Sequence, residues 1–260
     1  PAPLPRRAGE LVVDSLDDDF SAFVFKIQAN MNKAHRDRIA FMRIVSGRFD
    51  ADKEVYHVQG GKKLRLSRPQ QLMAAEREII EEAYAGDIIG VFDPGIFSIG
   101  DTLCAPGKKF RFDPIPTFAP EHFKRVRSLD TMKRKQFLKG MEQIAQEGAI
   151  QIFKTPYTGM EEVIVGVVGT LQFDVLEYRL KNEYNVELYM EGLPYEYLRW
   201  IETDDGEPVK EEDLILGTDV KLVEDYKGNQ LLLFGSQWAI GWTEERNKNL
   251  TFHEFGGTKF

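Results

Sequence analysis

One cysteine in 260 residues, Cys104, leaves no partner for an intramolecular disulfide, no CxxC redox pair and no thiolate-rich zinc site. A reducing cytoplasm is the compartment this usage predicts. Histidine is almost as scarce. His35, His57, His122 and His253 lie far apart, and His253-Glu254 lacks the second histidine of a zincin helix, so each is expected to be a surface or hydrogen-bonded residue rather than a metal ligand. No run approaches the roughly 18 apolar residues that a membrane-spanning helix needs, and no membrane partner is expected. The opening PAPLPRRAGE has neither an apolar stretch nor an initiating methionine, which reads as a cut within a linker rather than a signal peptide or a natural start.

Nucleotide-binding motifs are missing as well. A phosphate loop of the form GxxxxGK[ST] surrounds the phosphates with amides and a lysine while a hydroxyl reaches magnesium. Gly61-Lys62 continues with Lys63 and has no glycine five positions before Gly61, and Gly107-Lys108 fails in the same way. NKN at 247–249 lacks the aspartate of a guanine-reading NKxD element. His35-Arg36-Asp37 has Met42 where a kinase catalytic loop requires asparagine. Gly166 and Gly169 stand between a strand and a helix, but Ile164 occupies the place of the first glycine in a dinucleotide fingerprint, so close packing is their expected role. The acidic runs Glu81-Glu82 and Glu211-Glu212-Asp213 accompany no nucleophile and read as solvated faces. No catalytic, cofactor-binding or metal-binding constellation is expected in this chain.

What is present is an ordinary globular composition, 42% apolar and 29% charged, long enough for two domains. The net charge of −8 is unevenly spread. Residues 1–19 carry two Lys/Arg against five Asp/Glu, residues 20–113 carry 15 against 12, and residues 114–260 carry 17 against 25. A net positive middle inside an acidic chain points to local basic surfaces, which matter more for phosphate contact than the total.

Residues 1–19 read as a linker, Pro- and Arg-bearing and then acidic, with order beginning near Phe20. Residues 20–113 show short β-rich runs, SAFVFKIQ, DRIAFMRIVSG, KEVYHV, KKLRLS and GDIIGVF, separated by glycine turns. In the first run Phe23, Phe25 and Ile27 alternate with Val24, Lys26 and Gln28, which predicts one apolar face. Many short strands without a long helix predict a small closed antiparallel barrel, which removes exposed edges. Pro114, Pro116 and Pro120 then break the chain, and residues 114–260 alternate strand with helix. HFKRVRSL is a predicted strand. Residues 131–147 are a predicted helix with Thr131 as N-cap, an apolar stripe of Phe137, Leu138, Met141 and Ile144, and Gly148 as its stop. AIQIFK and EVIVGVVG are strands, LQFDVLEYRLKNE a helix and NVELYME a strand. That order, βαββαβ, predicts a ferredoxin-like α/β (α+β) domain. It is extended by a strand LRWIET, a hairpin VKLVEDYKGNQLLLF and a short helix SQWAIGWTEERN.

Two basic clusters stand out. Arg125 and Arg127 lie on the strand before the second domain's first helix, and Lys133, Arg134, Lys135 and Lys139 lie on that helix; between 121 and 140, seven Lys/Arg meet only Glu121 and Asp130. In the barrel, Arg36, Arg38, Arg43 and Arg48 are followed by Lys62, Lys63, Arg65 and Arg68. Such concentrations suit RNA phosphates, whose contacts position a protein without reading sequence. Arg36, Arg38, Lys62, Lys63, Arg65, Arg125, Arg127, Lys133, Arg134, Lys135 and Lys139 are therefore the candidate RNA- or ribosome-binding residues.

The run FVFKIQANM followed by HRDRIAFMRIVSG, then EEAYAGDIIG, IGDT, FAPE, KGMEQIAQEGAIQIF, VGVVGTLQFDV and RLKNEYNVE, resembles the region after the G domain in the peptide chain release factor 3 family, over about residues 20–200. From about residue 203 onward the match is loose. The resemblance implies a translation-factor β-barrel at 20–113 and an α/β domain at 114–260, taken from a ribosome-dependent GTPase that promotes recycling of stop-codon-decoding release factors. It implies GTP, GDP and magnesium held in the parent's G domain, through residues absent here. The implied partners are small-subunit RNA and protein, release factors and the G domain itself, with the protein a cytoplasmic monomer. Alternatives are the equivalent domains of an elongation or ribosomal-protection GTPase, a self-sufficient small-molecule enzyme built on a barrel, or a protein-interaction module.

Overall fold

A computed structural model describes residues 3–29, 38–51, 53–73, 76–156 and 162–254. The chain divides into two compact units, Pro1–Ile115 with Gln146–Gly148, and Pro116–Ala145 with Ala149–Phe260.

The first unit is made of strands: β1 (Arg6–Ala8), β2 (Leu11–Val13), β3 (Ser21–Ala29), β4 (Arg38–Ser46), β5 (Arg48–Asp50), β6 (Val55–His57), β7 (Lys62–Leu64), β8 (Ser67–Met73), β9 (Glu76–Ile79), β10 (Glu82–Tyr84), β11 (Ile88–Phe92) and β12 (Thr102–Cys104). Eight of them form one antiparallel sheet in the order β7-β6-β12-β3-β4-β11-β8-β9. Its inner face buries Val24, Ile27, Met42, Ile44, Ile89 and Leu103, and Phe49 and Ala83 bring the separate β5–β10 pair onto the same core. Among the described residues the sheet is a half-barrel running from β7 to β9, consistent with the β-barrel domain that the sequence suggested. Strand β7 is three residues long and carries Lys62 and Lys63, charges that discourage further pairing at an edge. Cys104 is fully buried on β12, and that burial pushes its thiol up to about 12.

Strand β3 does not keep simple alternation. Its pairing with β4 shifts register between Val24 and Lys26. An extra residue in one strand reverses the side to which the following side chains point. Ala22, Val24 and Ile27 therefore face the barrel core, whereas Phe23 and Phe25 join Val13, Val45 and Phe112 in a second cluster. The expected single face of Phe23, Phe25 and Ile27 is split.

That second cluster also corrects the linker reading of residues 1–19. β1 and β2 pair as a hairpin, Val13 is buried, and the Arg6 guanidinium lies 3.7 Å from the centroid of the Phe23 ring. Arg6 Nη2 donates to the Asp113 carbonyl at 3.0 Å, and burial lowers the Arg6 pKa. Phe23 and Phe112 come from distant positions, so nothing in the local pattern reveals the surface on which the hairpin packs.

The second unit begins with β13 (His122–Ser128), α1 (Arg134–Gln146), β14 (Gln151–Lys154), β15 (Glu162–Val167), α2 (Leu171–Tyr184) and β16 (Leu188–Gly192). Their sheet order, β16-β13-β15-β14, is that of the split βαββαβ unit. β17 (Tyr197–Thr203), β18 (Val220–Asp225), β19 (Gln230–Phe234), α3 (Gln237–Arg246) and β20 (Leu250–His253) follow, and the sheet continues past β14 as β18-β19-β17-β20. Strand β20 was not foreseen, because LTFH is too short to show a period.

One sheet face carries the two long helices. Phe137, Met141 and Ile144 of α1 and Phe173, Leu176 and Leu180 of α2 pack on Val126, Val163 and Val165. The opposite face joins Phe123, Phe153 and Ile164 to Leu198, Val223, Leu231 and Leu233. Leu222, Leu232 and Phe234 pack on Ala239 and Ile240 of α3. After Gln230, β19 is apolar, Leu231–Phe234, because both of its faces are covered. Gly166 serves packing, as expected: a Cβ there would lie 2.7 Å from Pro120 Cγ and 2.9 Å from Phe153 Cε2. A Cβ at Gly169 would meet no described atom within 4 Å, so packing does not explain that glycine.

Candidate nucleic-acid interface

The start of α1 differs from the sequence reading. Asp130, not Thr131, is the cap: its Oδ1 accepts the Met132 N–H at 2.9 Å, because a short carboxylate reaches back to a free amide. Thr131–Lys133 form a 3-10 turn and α1 begins at Arg134. Lys133 is half-buried, while Arg134, Lys135 and Lys139 are exposed and Phe137, Met141 and Ile144 occupy the buried side. The first turn of α1 contains no acidic residue. Cations at a helix N-terminus oppose the helix dipole, and like charges at i and i+4, as at Lys135 and Lys139, repel one another. This cluster gains little for the fold, and its exposed positive charges attract anions.

Arg125 and Arg127 do not join that surface. Val126 packs beneath the helices, so its neighbours point to the other side of the sheet. There the Arg127 guanidinium lies 4.6 Å from the Tyr189 ring centroid, and Arg125 Nη1 is 3.4 Å from Glu191 Oε2, across the β13–β16 register. Tyr195 packs against Phe123 on the same side, and burial raises its pKa while the charge of Arg125 opposes that rise. Sequence proximity placed six cations in one cluster; the pleat divides them between two faces.

In the barrel, Lys62, Lys63 and Arg65 are exposed at the β7 edge. Arg36 and the side chain of Arg68 lie outside the described residues. Arg38 is the clear correction, because its side chain is only 11% exposed. Its Nε donates to Asp93 Oδ2 at 2.7 Å and its Nη2 to the Phe97 carbonyl at 2.8 Å. Asp93 Oδ1 in turn accepts the N–H groups of Gly95, Ile96 and Phe97 at 2.8, 2.8 and 3.3 Å. Arg38 is thus an internal brace, removed from the set of RNA contacts because a buried carboxylate 55 positions away already holds it.

Among the described residues, neither Gly-Lys pair leads into a phosphate-binding helix. Gly61 ends the turn between β6 and β7, Lys62 is the first residue of β7, and Lys108 is paired with Asp19 at 2.8 Å. No group of three or more His, Cys, Asp or Glu able to hold a metal occurs among the described residues. His57 is buried with Nε2 2.8 Å from Asp101 Oδ2. No helix among the described residues is long and apolar enough to cross a membrane. One feature escaped sequence reasoning. The exposed side of α3 carries Trp238, Trp242 and Arg246 at i, i+4 and i+8, a spacing that would have shown it once the helix bounds were known.

Comparison with known proteins agrees with this architecture. The family model described as class II release factor RF3, C-terminal domain, matches residues 112–244, and that described as elongation factor G domain 2 matches residues 19–106. Peptide chain release factor 3 of Symbiobacterium thermophilum is 55% identical over 252 residues, covering 97% of this chain and 47% of that protein. Peptide chain release factor 3 of Gloeobacter violaceus is 46% identical over the same length with the same coverage. That of Listeria monocytogenes is 45% identical over 250 residues, covering 96% of this chain and 47% of its own. The chain spans about half the length of the curated relatives it matches. A crystal structure of a Thermus thermophilus protein shares the fold, with a TM-score of 0.56 at 17% identity over 80% of this chain and 31% of that one. With both domain models matched in chain order, and such identity along nearly all of its length, the chain belongs to the peptide chain release factor 3 family.

Proposed function

We propose that this chain is the docking and coupling body of a GTP-dependent release factor, which promotes recycling of the stop-codon-decoding release factors on the ribosome. The observation that carries the reading is the cationic start of α1, where Lys133, Arg134 and Lys135 stand against the helix dipole and Lys139 continues them along the exposed side. An RNA phosphate is the anion that these exposed cations suit. Lys62, Lys63 and Arg65 at the barrel edge give a second phosphate contact, and Arg127 stacked on Tyr189 a third basic surface. Residues 20–113 and 114–260 act as the two docking modules, a monomer in the cytoplasm joined in the parent to a G domain that holds GTP or GDP and magnesium. The release factors meet the assembled parent rather than either module alone.

The test is a titration of the chain against purified ribosomes at several salt concentrations. Binding that weakens steeply as salt rises is expected, since each phosphate neutralised releases counterions. Absence of binding at low salt, or binding indifferent to salt, overturns the reading. Calorimetry of the chain alone with GTP or GDP is expected to show no heat of binding; micromolar affinity would mean that a nucleotide site has been overlooked.

A further inference from the structure

Helix α3 is buried on one side only. Ala239, Ile240 and Thr243 are within the fold, while Trp238 on the opposite side is 72% exposed. The ring centroids of Trp238 and Trp242 are 6.3 Å apart, and the Arg246 guanidinium lies 4.0 Å from the centroid of Trp242. An exposed indole beside a half-buried one keeps apolar area that folding has not removed, and tryptophan is among the residues most enriched in binding hot spots.

Gly241 lies between the two tryptophans along the same side. Glycine inside a helix costs about 1 kcal/mol relative to alanine. A Cβ at Gly241 would meet no described atom within 4 Å, so no internal contact requires the glycine. What it provides is a notch flanked by two rings, where another chain can approach the helix backbone closely.

Charge selects the partner. Glu244 and Glu245 are exposed on α3. Asn247 Oδ1 accepts the Ile215 N–H at 2.9 Å and its Nδ2 donates to the Ile215 carbonyl at 3.0 Å, which ties the segment just after the exposed turn Glu211–Asp213 to the end of the helix; in that turn Glu212 is paired with Lys210 at 3.7 Å. The cation on the helix, Arg246, is engaged by the Trp242 ring and donates to the Trp242 carbonyl at 3.3 Å. Indoles among carboxylates repel a phosphate backbone and suit lysine or arginine side chains beside an apolar anchor. We propose that Trp238, Gly241, Trp242 and Glu245 form a docking surface for a basic protein segment. It is separate from the cationic surface of α1 and independent of RNA.

The 260-residue chain is titrated with a peptide of alternating lysine and leucine, its glutamate–leucine counterpart and a uridine oligonucleotide, followed by tryptophan emission and calorimetry. Trp200, half-buried in the sheet, is the internal reference. Binding of the lysine–leucine peptide alone is expected. Trp238→Ala should weaken it about tenfold or more, and Glu244→Lys with Glu245→Lys comparably. Gly241→Ala should weaken binding while raising the melting temperature, a combination that a purely structural glycine would not give. A stronger response to the oligonucleotide assigns the surface to nucleic acid and overturns the proposal. So does equal binding of both peptides, no binding, or binding that survives Trp238→Ala. None of these outcomes bears on ribosome titration, so this surface and the α1 surface stand or fall separately.

Discussion

Asp93→Ala is expected to destabilise the first domain by about 3 to 5 kcal/mol, the usual consequence of removing one partner of a buried ion pair. The Asp93 side chain is fully buried, and its two oxygens hold the Arg38 guanidinium together with three loop amides. Alanine leaves Arg38 nearly buried without its counter-ion and the Gly95–Phe97 amides without an acceptor. The three tryptophans, Trp200, Trp238 and Trp242, all lie in the second unit. Urea unfolding followed by tryptophan emission should therefore be little changed, while far-ultraviolet circular dichroism shows the first-domain transition moving to lower urea. Replacing both partners, Arg38→Met with Asp93→Leu, should recover part of the loss, because no uncompensated charge remains. An unmoved midpoint for Asp93→Ala would show that the brace is dispensable.

Reversing Lys133, Lys135 and Lys139 to glutamate is expected to weaken ribosome association about 10- to 100-fold and to lower the slope of log affinity against log salt by about three. Exposed charges of this kind contribute only about 0 to 1 kcal/mol each to folding. Lys133 and Lys135 sit at the helix end that disfavours them, so the melting temperature should hold or rise slightly. A ribosome titration over a salt series, paired with a thermal melt, reads both quantities. If affinity and slope are unaltered while the melt is unchanged, the α1 surface is an ordinary solvated face. The barrel edge at Lys62, Lys63 and Arg65 then becomes the preferred contact.

Local pattern carried far in this chain where one side of an element meets the core. The stripe Phe137, Met141 and Ile144 marked the buried side of α1, and the βαββαβ order of 122–192 is visible as a succession of periods. Pattern failed where one residue changes the phase. The bulge in β3 moved Phe23 and Phe25 away from Ile27, and no composition rule locates a bulge. It failed again where charges were counted along the chain rather than around an element. Arg125 and Arg127 share a run with Lys133 and Lys139 but face the other side of the sheet.

The sequence by itself determined the two-part organisation, the absence of a phosphate loop and of a guanine-reading element, the family and the amphipathic form of α1. These depend on residue types and short spacings, which the chain displays directly. Only the tertiary structure decided that Arg38 is internal, that residues 6–13 pack as a hairpin on Phe23 and Phe112, and which side of α3 stays open. Each depends on a partner brought from far along the chain, Asp93 to Arg38 across 55 positions being the plainest case. A side chain's role as brace or free contact is set by the group opposite it, and folding, not spacing, chooses that group.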